Sequence, residues 1–294
     1  MYRLPEYEYY RASNLEEVLK LLAELDNVKV LAGGTDLVLD MKTGRYKPKY
    51  VVDVGGLKEL KYIEDAGTAL RIGALVTVQE LLDSPVIRGK APLLTLAARE
   101  FAYWQIRNVA TIGGNLCNAS PAADMAPPLL VYEASVKAMS TRGSRLIPLV
   151  EFFQGPRKTA LAKDELLVEV IVPYRQVEGY GFAYAKVGRR RGHDMSIVAV
   201  AVALKLESNV VSDVRVALNS VAPVPTRAYT VERALRRKTF TPESVEEAAR
   251  LVEKDIKPIT DVRAPAEYRL YMSKLLVKEL LLEAAKSTRG GGVS

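Results

Sequence analysis

The sequence has few of the side chains that bind metals or form disulfide bonds. Its 294 residues contain one cysteine, Cys117, and one histidine, His193. One cysteine cannot form an intrachain disulfide bond, and it cannot supply the set of thiolates that holds an iron–sulfur cluster. The same shortage argues against a zinc site, which is built mainly from Cys and His ligands. Any redox chemistry of this chain must therefore use an organic cofactor, and any metal must lie on another chain.

Long hydrophobic runs are missing as well. The longest apolar run, Ile197 to Leu204, is far shorter than the roughly 20 residues of a membrane-spanning helix. The segment Met1 to Glu6 has no apolar core of the signal-peptide kind. We therefore expect a cytoplasmic protein with no membrane span. The composition is that of a globular protein, and the length predicts two or three compact domains.

The charge is moderately basic, with a formal net charge of +7. An excess of this sign fits a nucleic acid, an acidic protein partner or an anionic cofactor. The basic residues are scattered, with local clusters at Arg189–Arg191 and Arg233–Lys238. Because no run has the density of a nucleic-acid-binding arm, we expect no nucleic-acid partner. The cluster at Arg189–Arg191 is equally compatible with partner docking and with a solvated loop.

The order of predicted elements indicates an α+β protein whose N-terminal region has two parts. Residues 1–56 alternate strand, helix and strand, which predicts a small parallel α/β unit. Its helix is predicted to begin at a capping box of Ser13 and Glu16, and its later strands to cover 28–31 and 50–54. Residues 57–176 predict a mixed, mostly antiparallel α+β domain. A helix is expected over 92–103, and strands over 70–75, 135–140, 145–149 and 166–172.

Residues 177–288 predict a C-terminal domain in which a three-stranded sheet precedes a three-helix bundle. The expected strands are 182–187, 197–206 and 211–221. Thr226 is a candidate cap for the first helix, and Thr241 with Pro242 for the second. The last helix is expected from about 265 to about 286. Residues 289–294, which include Gly290–Gly292, are expected to be a disordered tail.

The first of two glycine-rich turns lies at Ala32–Asp36, between a predicted strand and a predicted helix. Glycines permit a positive φ and leave no Cβ between the backbone and a ligand. Successive backbone N–H groups at the start of a helix can then bind an anion. Thr35 adds a hydroxyl group, and Asp36 is a favourable N-cap residue. The alternative is a plain strand-to-helix turn, and the G-x-G-x-x-G spacing of dinucleotide-binding domains is absent.

The second turn covers Ala110 to Pro121 and consists mainly of small and amide-bearing residues. Such a segment has little apolar side-chain mass to bury, which favours a backbone that wraps around a large polar ligand. Ser120 before Pro121 is also typical of a helix start. Two such turns in successive domains predict a cleft between the domains, with a diphosphate-bearing ligand lying across it.

The two turns together resemble the FAD-binding medium subunits of the molybdenum hydroxylase family. This family includes xanthine dehydrogenase, aldehyde oxidoreductase and carbon monoxide dehydrogenase. The matching segments are Ala-Gly-Gly-Thr-Asp at 32–36 and Thr-Ile-Gly-Gly-Asn at 111–115, and the similarity continues through Asn-Ala-Ser-Pro-Ala-Ala-Asp at 118–124. It extends over essentially the whole chain. Two motifs in the same order with similar spacing make the resemblance specific.

The resemblance implies an FAD site whose residues can be assigned one by one. Both turns would cradle the FAD diphosphate through backbone amides, and Asp124 would bind the ribose or neighbouring cofactor atoms. Phe101 matches a position that packs on the cofactor, while Leu167 and Lys186 match positions that contact the flavin end. The implied cofactor-binding residues are Leu31, Ala32, Gly33, Gly34, Thr35, Asp36, Phe101, Ala110, Thr111, Ile112, Gly113, Gly114, Asn115, Asp124, Leu167 and Lys186. No catalytic residue and no metal ligand is expected on this chain.

The flavin end is where the sequence departs from the family. Lys186 fits chemically, because a nearby cation stabilises the anionic reduced flavin; the alternative is a solvated strand lysine. The residue that would shield one face of the flavin ring is Met195, where relatives resembling carbon monoxide dehydrogenase have tyrosine. A thioether can pack on a ring. His193 is interpreted as a surface-loop residue rather than an acid–base partner of Asp194, and Cys117 as a small buried residue rather than a reactive one.

The resemblance also implies partners. A large molybdopterin subunit would oxidise an aldehyde or related substrate, and two 2Fe–2S clusters on a small subunit would pass the electrons to FAD and then to an external acceptor. The expected assembly is a dimer of heterotrimers. Two alternatives remain open: a stand-alone FAD-dependent oxidase, which would need a substrate-binding cap domain, and a flavin-free assembly subunit in which the glycine turns are only turns.

Overall fold

The described residues form three successive larger sheets, each with its own set of helices, and one two-stranded sheet. The computed structural model describes residues 3–174, 179–190 and 194–289. The strands are β1 (Glu8–Arg11), β2 (Val28–Leu31), β3 (Tyr50–Asp53), β4 (Ile63–Asp65), β5 (Ala69–Gly73), β6 (Ser135–Ser140), β7 (Gly143–Pro148), β8 (Phe153–Gly155), β9 (Lys158–Thr159), β10 (Leu166–Pro173), β11 (Gly181–Val187), β12 (Val198–Glu207), β13 (Val210–Asn219) and β14 (Thr226–Arg227).

Most of the helices that the structure describes are short, and the last is the longest. They are α1 (Leu15–Glu24), α2 (Leu37–Lys42), α3 (Val78–Asp83), α4 (Pro85–Lys90), α5 (Pro92–Arg99), α6 (Trp104–Arg107), α7 (Ile112–Cys117), α8 (Ala126–Val131), α9 (Leu149–Phe152), α10 (Tyr229–Leu235), α11 (Pro242–Arg250) and α12 (Ala266–Arg289), with short 3-10 helices at Lys58–Leu60 and Leu251–Lys254. No helix among these described residues is long and apolar enough to cross a membrane.

The N-terminal unit is a parallel sheet in the order β1-β3-β2. Helix α1 covers it through Val18, Leu19 and Leu22, which are spaced at helical intervals and buried. The predicted cap is displaced by one residue: Asn14 is the N-cap, and its side chain accepts a hydrogen bond from the Glu17 amide at 2.9 Å. Because asparagine is among the best N-cap residues, the helix begins there rather than at Ser13.

The second domain contains a five-stranded antiparallel sheet in the order β4-β5-β10-β6-β7. Helices α3, α5, α7 and α8 enclose its main core. The helix predicted over 92–103 is two helices, α5 and α6. Ala102 adopts a φ of +35° between them, which interrupts the helical backbone. The capping box of Thr77 and Glu80 is present at the start of α3.

The C-terminal domain has an antiparallel sheet in the order β11-β12-β13-β14, covered by α10, α11 and α12. The three predicted strands are therefore joined by a short fourth one. Thr226 does not cap a helix but pairs with Leu218 in β14, and α10 begins at Tyr229. The predicted start of α11 at Thr241 and Pro242 is confirmed.

A buried ion pair fastens β14 to α10. Arg227 donates from Nε and Nη2 to the two carboxylate oxygens of Glu232, each at 2.8 Å. Both side chains are at most 5% exposed. Arg227 also donates to Glu133 of the second domain at 3.2 Å, so that the same guanidinium joins two domains. The bidentate geometry holds β14 against the first turn of α10.

We expect Arg227→Met to lower the free energy of unfolding by about 3–5 kcal/mol, because it leaves the Glu232 carboxylate buried without its cation. Chemical denaturation followed by circular dichroism measures this loss. Arg250→Met is the matched control, since Arg250 pairs with Glu246 on the surface with 70% of its side chain exposed. The control is expected to change stability by less than about 1 kcal/mol; equal effects of the two substitutions would contradict the prediction.

Candidate functional site

A cavity of about 350 Å³ lies between the N-terminal unit and the second domain. Both glycine-rich turns line it. Apolar side chains, including Leu60, Leu75 and Leu166, line it as well. Its size falls within the roughly 300–1,000 Å³ of sites that enclose organic ligands. The cleft expected from the sequence is therefore present, and both turns face it.

The first turn, residues 32–36, is shaped by its two glycines. Gly34 has a φ of +71°, a conformation that glycine adopts without strain. A Cβ at Gly33 would lie 1.7 Å from the carbonyl oxygen of Val109. This position therefore accepts only glycine, because the turn rests directly on the backbone that leads into the second turn.

The amides of the first turn have no partner in the part of the chain that the structure describes. Among the described residues, no backbone or side-chain acceptor receives a hydrogen bond from the N–H groups of Gly33, Gly34, Thr35 or Asp36. Asp36 is the N-cap residue of α2, as predicted, but its side chain makes no capping hydrogen bond. Unpaired amides near a cavity are unusual, because backbone polar groups are normally satisfied by protein or solvent. They are available to a ligand.

The second turn differs, because the amides of its residues 112–115 already donate to the protein. The N–H groups of Ile112 and Gly113 donate to Val76 and Ala74, and that of Asn115 donates to the carbonyl of Thr111. Thr111 also N-caps α7 by accepting from the Gly114 amide at 3.0 Å. The middle of the second turn, Ile112–Cys117, thus forms α7. The predicted helix start at Ser120 is wrong, since residues 121–125 form turns and α8 begins at Ala126.

The structure brings most of the predicted site residues to one cavity. Those that line it are Ala32, Gly33, Gly34, Thr35, Asp36, Phe101, Ala110, Thr111, Gly113, Gly114, Asn115 and Leu167. Those that do not line it are Leu31, Ile112, Asp124, Lys186 and Met195. Leu31 ends β2, and Ile112 is fully buried in the core.

Asp124 and Lys186 form a buried ion pair between the second and C-terminal domains. Lys186 Nζ donates to Asp124 Oδ2 at 2.6 Å, and both side chains are less than a tenth exposed. Lys186 also donates to the carbonyl of Glu100 at 3.2 Å, and Asn219 donates to Asp124 Oδ1 at 3.1 Å. The reading of Lys186 as a solvated strand lysine is therefore wrong. The neighbouring Tyr184 has a pKa well above its usual value because of burial and the nearby Asp124 charge.

Met195 lies shortly before strand β12 of the C-terminal sheet. Its side chain is 47% exposed, and its Sδ accepts a hydrogen bond from Arg263 at 3.5 Å. Asp194 accepts from the Met195 amide at 2.9 Å, which fixes the backbone there. His193 lies outside the described residues. No group of three or more His, Cys, Asp or Glu side chains that could hold a metal occurs within the described ranges.

Cys117 lies at the end of α7 and lines the cavity, where its side chain is exposed rather than buried. The prediction of a buried cysteine is therefore wrong, because the small residues around it leave an open space. Protein atoms around the cavity nevertheless raise the pKa of the thiol through desolvation. The thiol stays protonated at neutral pH and is a poor nucleophile.

Sequence reasoning missed a polar cluster at one end of the cavity. It contains Asn118, Arg157, Asp40 and Lys29, and all but Asp40 line the cavity. Arg157 lies between β8 and β9, contacts Asp40 at 3.4 Å and donates to the Asn118 side chain. The pKa of Lys29 is lowered by burial, and its Nζ lies 4.2 Å above the Tyr46 ring. Asn118 belongs to the second turn, but the other three residues lie outside both turns, so no local motif marks the cluster.

We expect Gly33→Ala to destabilise the protein by about 3 kcal/mol or more, because the added Cβ meets a backbone carbonyl that no rotamer change can move. Thermal unfolding of the full chain measures the effect. Gly89→Ala is the matched control, since no atom lies within 4 Å of its added Cβ. Gly89 is inside α4, where alanine is favoured over glycine by up to about 1 kcal/mol. If the Gly33→Ala chain were as stable as the Gly89→Ala chain, the close approach of Gly33 to the Val109 carbonyl would be refuted.

Two carboxyl groups of the same cavity should respond to pH in opposite directions. Burial raises the pKa of Asp36 above its unfolded value of 3.8. Its contribution to stability is therefore complete below that value and is lost as the pH rises through the folded pKa. A hydrogen bond from Arg145 lowers the pKa of Glu165, so its contribution is present at neutral pH and is lost as the pH falls.

Between about pH 4 and pH 7, we therefore expect the stability of Asp36→Asn to rise relative to that of the wild type, whereas that of Glu165→Gln should fall. Denaturation curves at several pH values measure both differences. A difference for Asp36→Asn that stays constant or shrinks with rising pH would contradict the direction of its pKa shift.

Comparison with known proteins relates both halves of the chain to one family. Residues 5–175 match the FAD binding domain in molybdopterin dehydrogenase. Residues 183–284 match the CO dehydrogenase flavoprotein C-terminal domain. The two matches follow the division between the cavity-forming region and the C-terminal sheet and helices.

Whole-chain relatives agree with these matches. The glyceraldehyde dehydrogenase medium chain of Sulfolobus acidocaldarius is 36% identical over 96% of this chain and 99% of its own length. The xanthine dehydrogenase FAD-binding subunit of Escherichia coli O157:H7 is 34% identical over 96% of this chain and 97% of its own length. A solved structure of carbon monoxide dehydrogenase from Hydrogenophaga pseudoflava, 34% identical, superposes with a TM-score of 0.93 over 97% of this chain and 99% of its own chain. This chain is an FAD-binding medium subunit of the molybdenum hydroxylase family.

Proposed function

We propose that this chain is the electron-transfer flavoprotein of a three-subunit molybdenum hydroxylase. The observation that carries the proposal is a glycine turn with four unpaired amides beside a cavity between two domains, in a chain that belongs to an FAD-binding family. In this proposal, electrons arrive from two 2Fe–2S clusters on a small partner subunit and leave to an external acceptor. The substrate is oxidised on a large molybdopterin subunit.

The residues around the cavity fit FAD in three respects. The unpaired N–H groups of residues 33–36 match the oxygens of a diphosphate, and the Thr35 hydroxyl adds a donor. The apolar wall of Leu60, Leu75 and Leu166 suits a flat aromatic ring. The cavity is shared by two domains, as expected for an extended dinucleotide. Since the amides of residues 112–115 have protein acceptors, we assign the amide contacts of the diphosphate to the first turn and treat the second turn as the facing wall.

The flavin end is assigned to residues near the C-terminal domain. Asp124, Leu167 and Lys186 would lie near the ribose and ring, and Met195 would shield one ring face. The Lys186 ammonium is paired there with the Asp124 carboxylate at 2.6 Å; a cation near the ring would favour its anionic reduced state, and Asp124 would partly offset that charge. Bound FAD would supply the redox chemistry, taking up electrons and passing them on. This chain's own residues bind the cofactor, orient it and exclude water.

The substrate class and assembly are inferred from relatives. Those named above act in glyceraldehyde, xanthine and carbon monoxide dehydrogenases, so an aldehyde or a related small molecule is proposed as substrate. Medium chains belong to multi-subunit complexes, and we propose a dimer of heterotrimers in the cytoplasm. A stand-alone FAD-dependent oxidase is disfavoured, because the C-terminal region matches the flavoprotein domain of carbon monoxide dehydrogenase rather than a cap domain.

The proposal is tested by purifying the full chain, titrating it with FAD and recording visible absorption and flavin fluorescence. We expect flavin bands and saturable binding of about one FAD per chain. Gly33→Ala is expected to bind FAD at least tenfold more weakly, while Gly89→Ala should bind it like the wild type. A colourless wild-type chain that does not bind added FAD would support the flavin-free assembly subunit instead.

A second arm tests the partners. The tagged chain is purified from cells that express its native partners, and the masses and metal contents of the co-purifying chains are measured. Two further subunits, one with iron and acid-labile sulfide and one with molybdenum, are expected. A single chain that oxidises a substrate without partners would support the oxidase alternative.

A further inference from the structure

The hairpin between β8 and β9 places an arginine at one end of the cavity. Arg157 lies in its turn with a φ of +63°, a conformation that is uncommon for residues other than glycine. Its amide donates to the carbonyl of Ala119 at 2.8 Å, which ties the hairpin to the segment after α7. The backbone is thus held in a strained position that directs this residue to the cavity wall.

The Arg157 guanidinium has donors to spare. Its Nη1 contacts the Asn118 side chain and lies 3.4 Å from Asp40 Oδ2. Its Nε and Nη2 donate to no acceptor among the described residues. About a quarter of the side chain, 26%, is exposed. An arginine held through one nitrogen keeps a planar edge for a second partner.

This guanidinium lies next to the turn with the unpaired amides. Asn118 accepts a hydrogen bond from Arg157, and its side chain also lowers the pKa of the Asp36 carboxyl, so it lies between the end of the turn and the arginine. The positive charge of Arg157 is close enough to oppose the rise in the pKa of Asp36, which burial and Asp40 cause. The end of the turn therefore carries two carboxyl groups. A diphosphate placed there needs a cation to offset them.

We propose that Arg157 is a binding residue for the FAD diphosphate, donating from its unpaired edge while Asn118 and Asp40 hold it in place. The inference rests on the proposed function, because it takes FAD as the ligand of the cavity. Guanidinium and phosphate match in geometry and form paired, charge-assisted hydrogen bonds. The amides of the first turn and Arg157 then hold the diphosphate from two sides.

Arg157→Met tests this, because it keeps most of the side-chain volume and removes the charge and donors. The dissociation constants of the deflavinated full chain are measured for FAD by flavin fluorescence, and for ADP and adenosine by calorimetry. We expect FAD and ADP to bind about 10- to 100-fold more weakly, the usual loss for a charged hydrogen bond. Adenosine, which has no phosphate, should bind as to the wild type. The salt dependence of FAD binding should also become less steep.

The matched control is Arg142→Met, since Arg142 pairs with Asp164 on the surface with 69% of its side chain exposed. It is expected to leave all three dissociation constants unchanged. If Arg157→Met does not fold, Arg157→Lys keeps the charge, and it should weaken ADP more than adenosine. The double variant Arg157→Met/Asp40→Asn distinguishes direct contact with the phosphate from neutralisation of the Asp40 charge. ADP binding stays weak if Arg157 contacts the phosphate, and it recovers if Arg157 only neutralises Asp40.

The outcomes separate this inference from the proposed function. If the wild-type chain binds FAD and the Arg157→Met chain binds FAD and ADP as tightly as the wild type does, the role of Arg157 is overturned and the proposed function still stands. Equal weakening of ADP and adenosine also overturns that role, because Arg157 would then only hold the cavity wall. Recovery of ADP binding in the double variant does the same. Wild-type chain that binds neither FAD nor ADP overturns the proposed function itself.

Discussion

Two backbones meet at Gly33, and the position of both cavity walls follows from that contact. The first turn rests on the carbonyl of Val109 with no side chain between them. Gly113 makes a similar approach on the other wall, where a Cβ would lie 2.8 Å from the oxygen and the Cβ of Ala74. Because backbone contacts are far stiffer than contacts between long side chains, the width of the cleft is set before any ligand enters.

The two turns look alike in sequence, but their hydrogen bonds differ. In the second turn the donors of Ile112, Gly113 and Asn115 are used to fasten α7, so this turn provides rigidity. In the first turn the donors stay unpaired, so this turn provides binding capacity. Unsatisfied backbone groups lower stability, and the protein tolerates them where a ligand completes the set. A rigid second turn and a first turn with donors available for a ligand suit a cofactor that is held without covalent attachment.

Local patterns in the sequence were enough to predict the α+β class, the parallel N-terminal unit and most strand positions. Strand β2 at Val28–Leu31 and strand β6 at Ser135–Ser140 were predicted to the residue, because alternation and short apolar runs are local signals. The cap at Asn14 was missed because two adjacent residues, Ser13 and Asn14, can both cap the helix. Strand β14 was missed because it depends on pairing with β13. The same limit applies to the site. Glycine turns can be read from a single sequence, whereas Arg157 comes from a hairpin remote from both turns.

The contacts of Asp124 have a consequence for the order in which the molecule matures. Its carboxylate is held by Lys186 on β11 and Asn219 on β13, and both leave the ribosome after the two domains that form the cavity. The residues that line the cavity all belong to the first two domains. The whole cavity lining is therefore synthesised before the two residues that hold the Asp124 carboxylate.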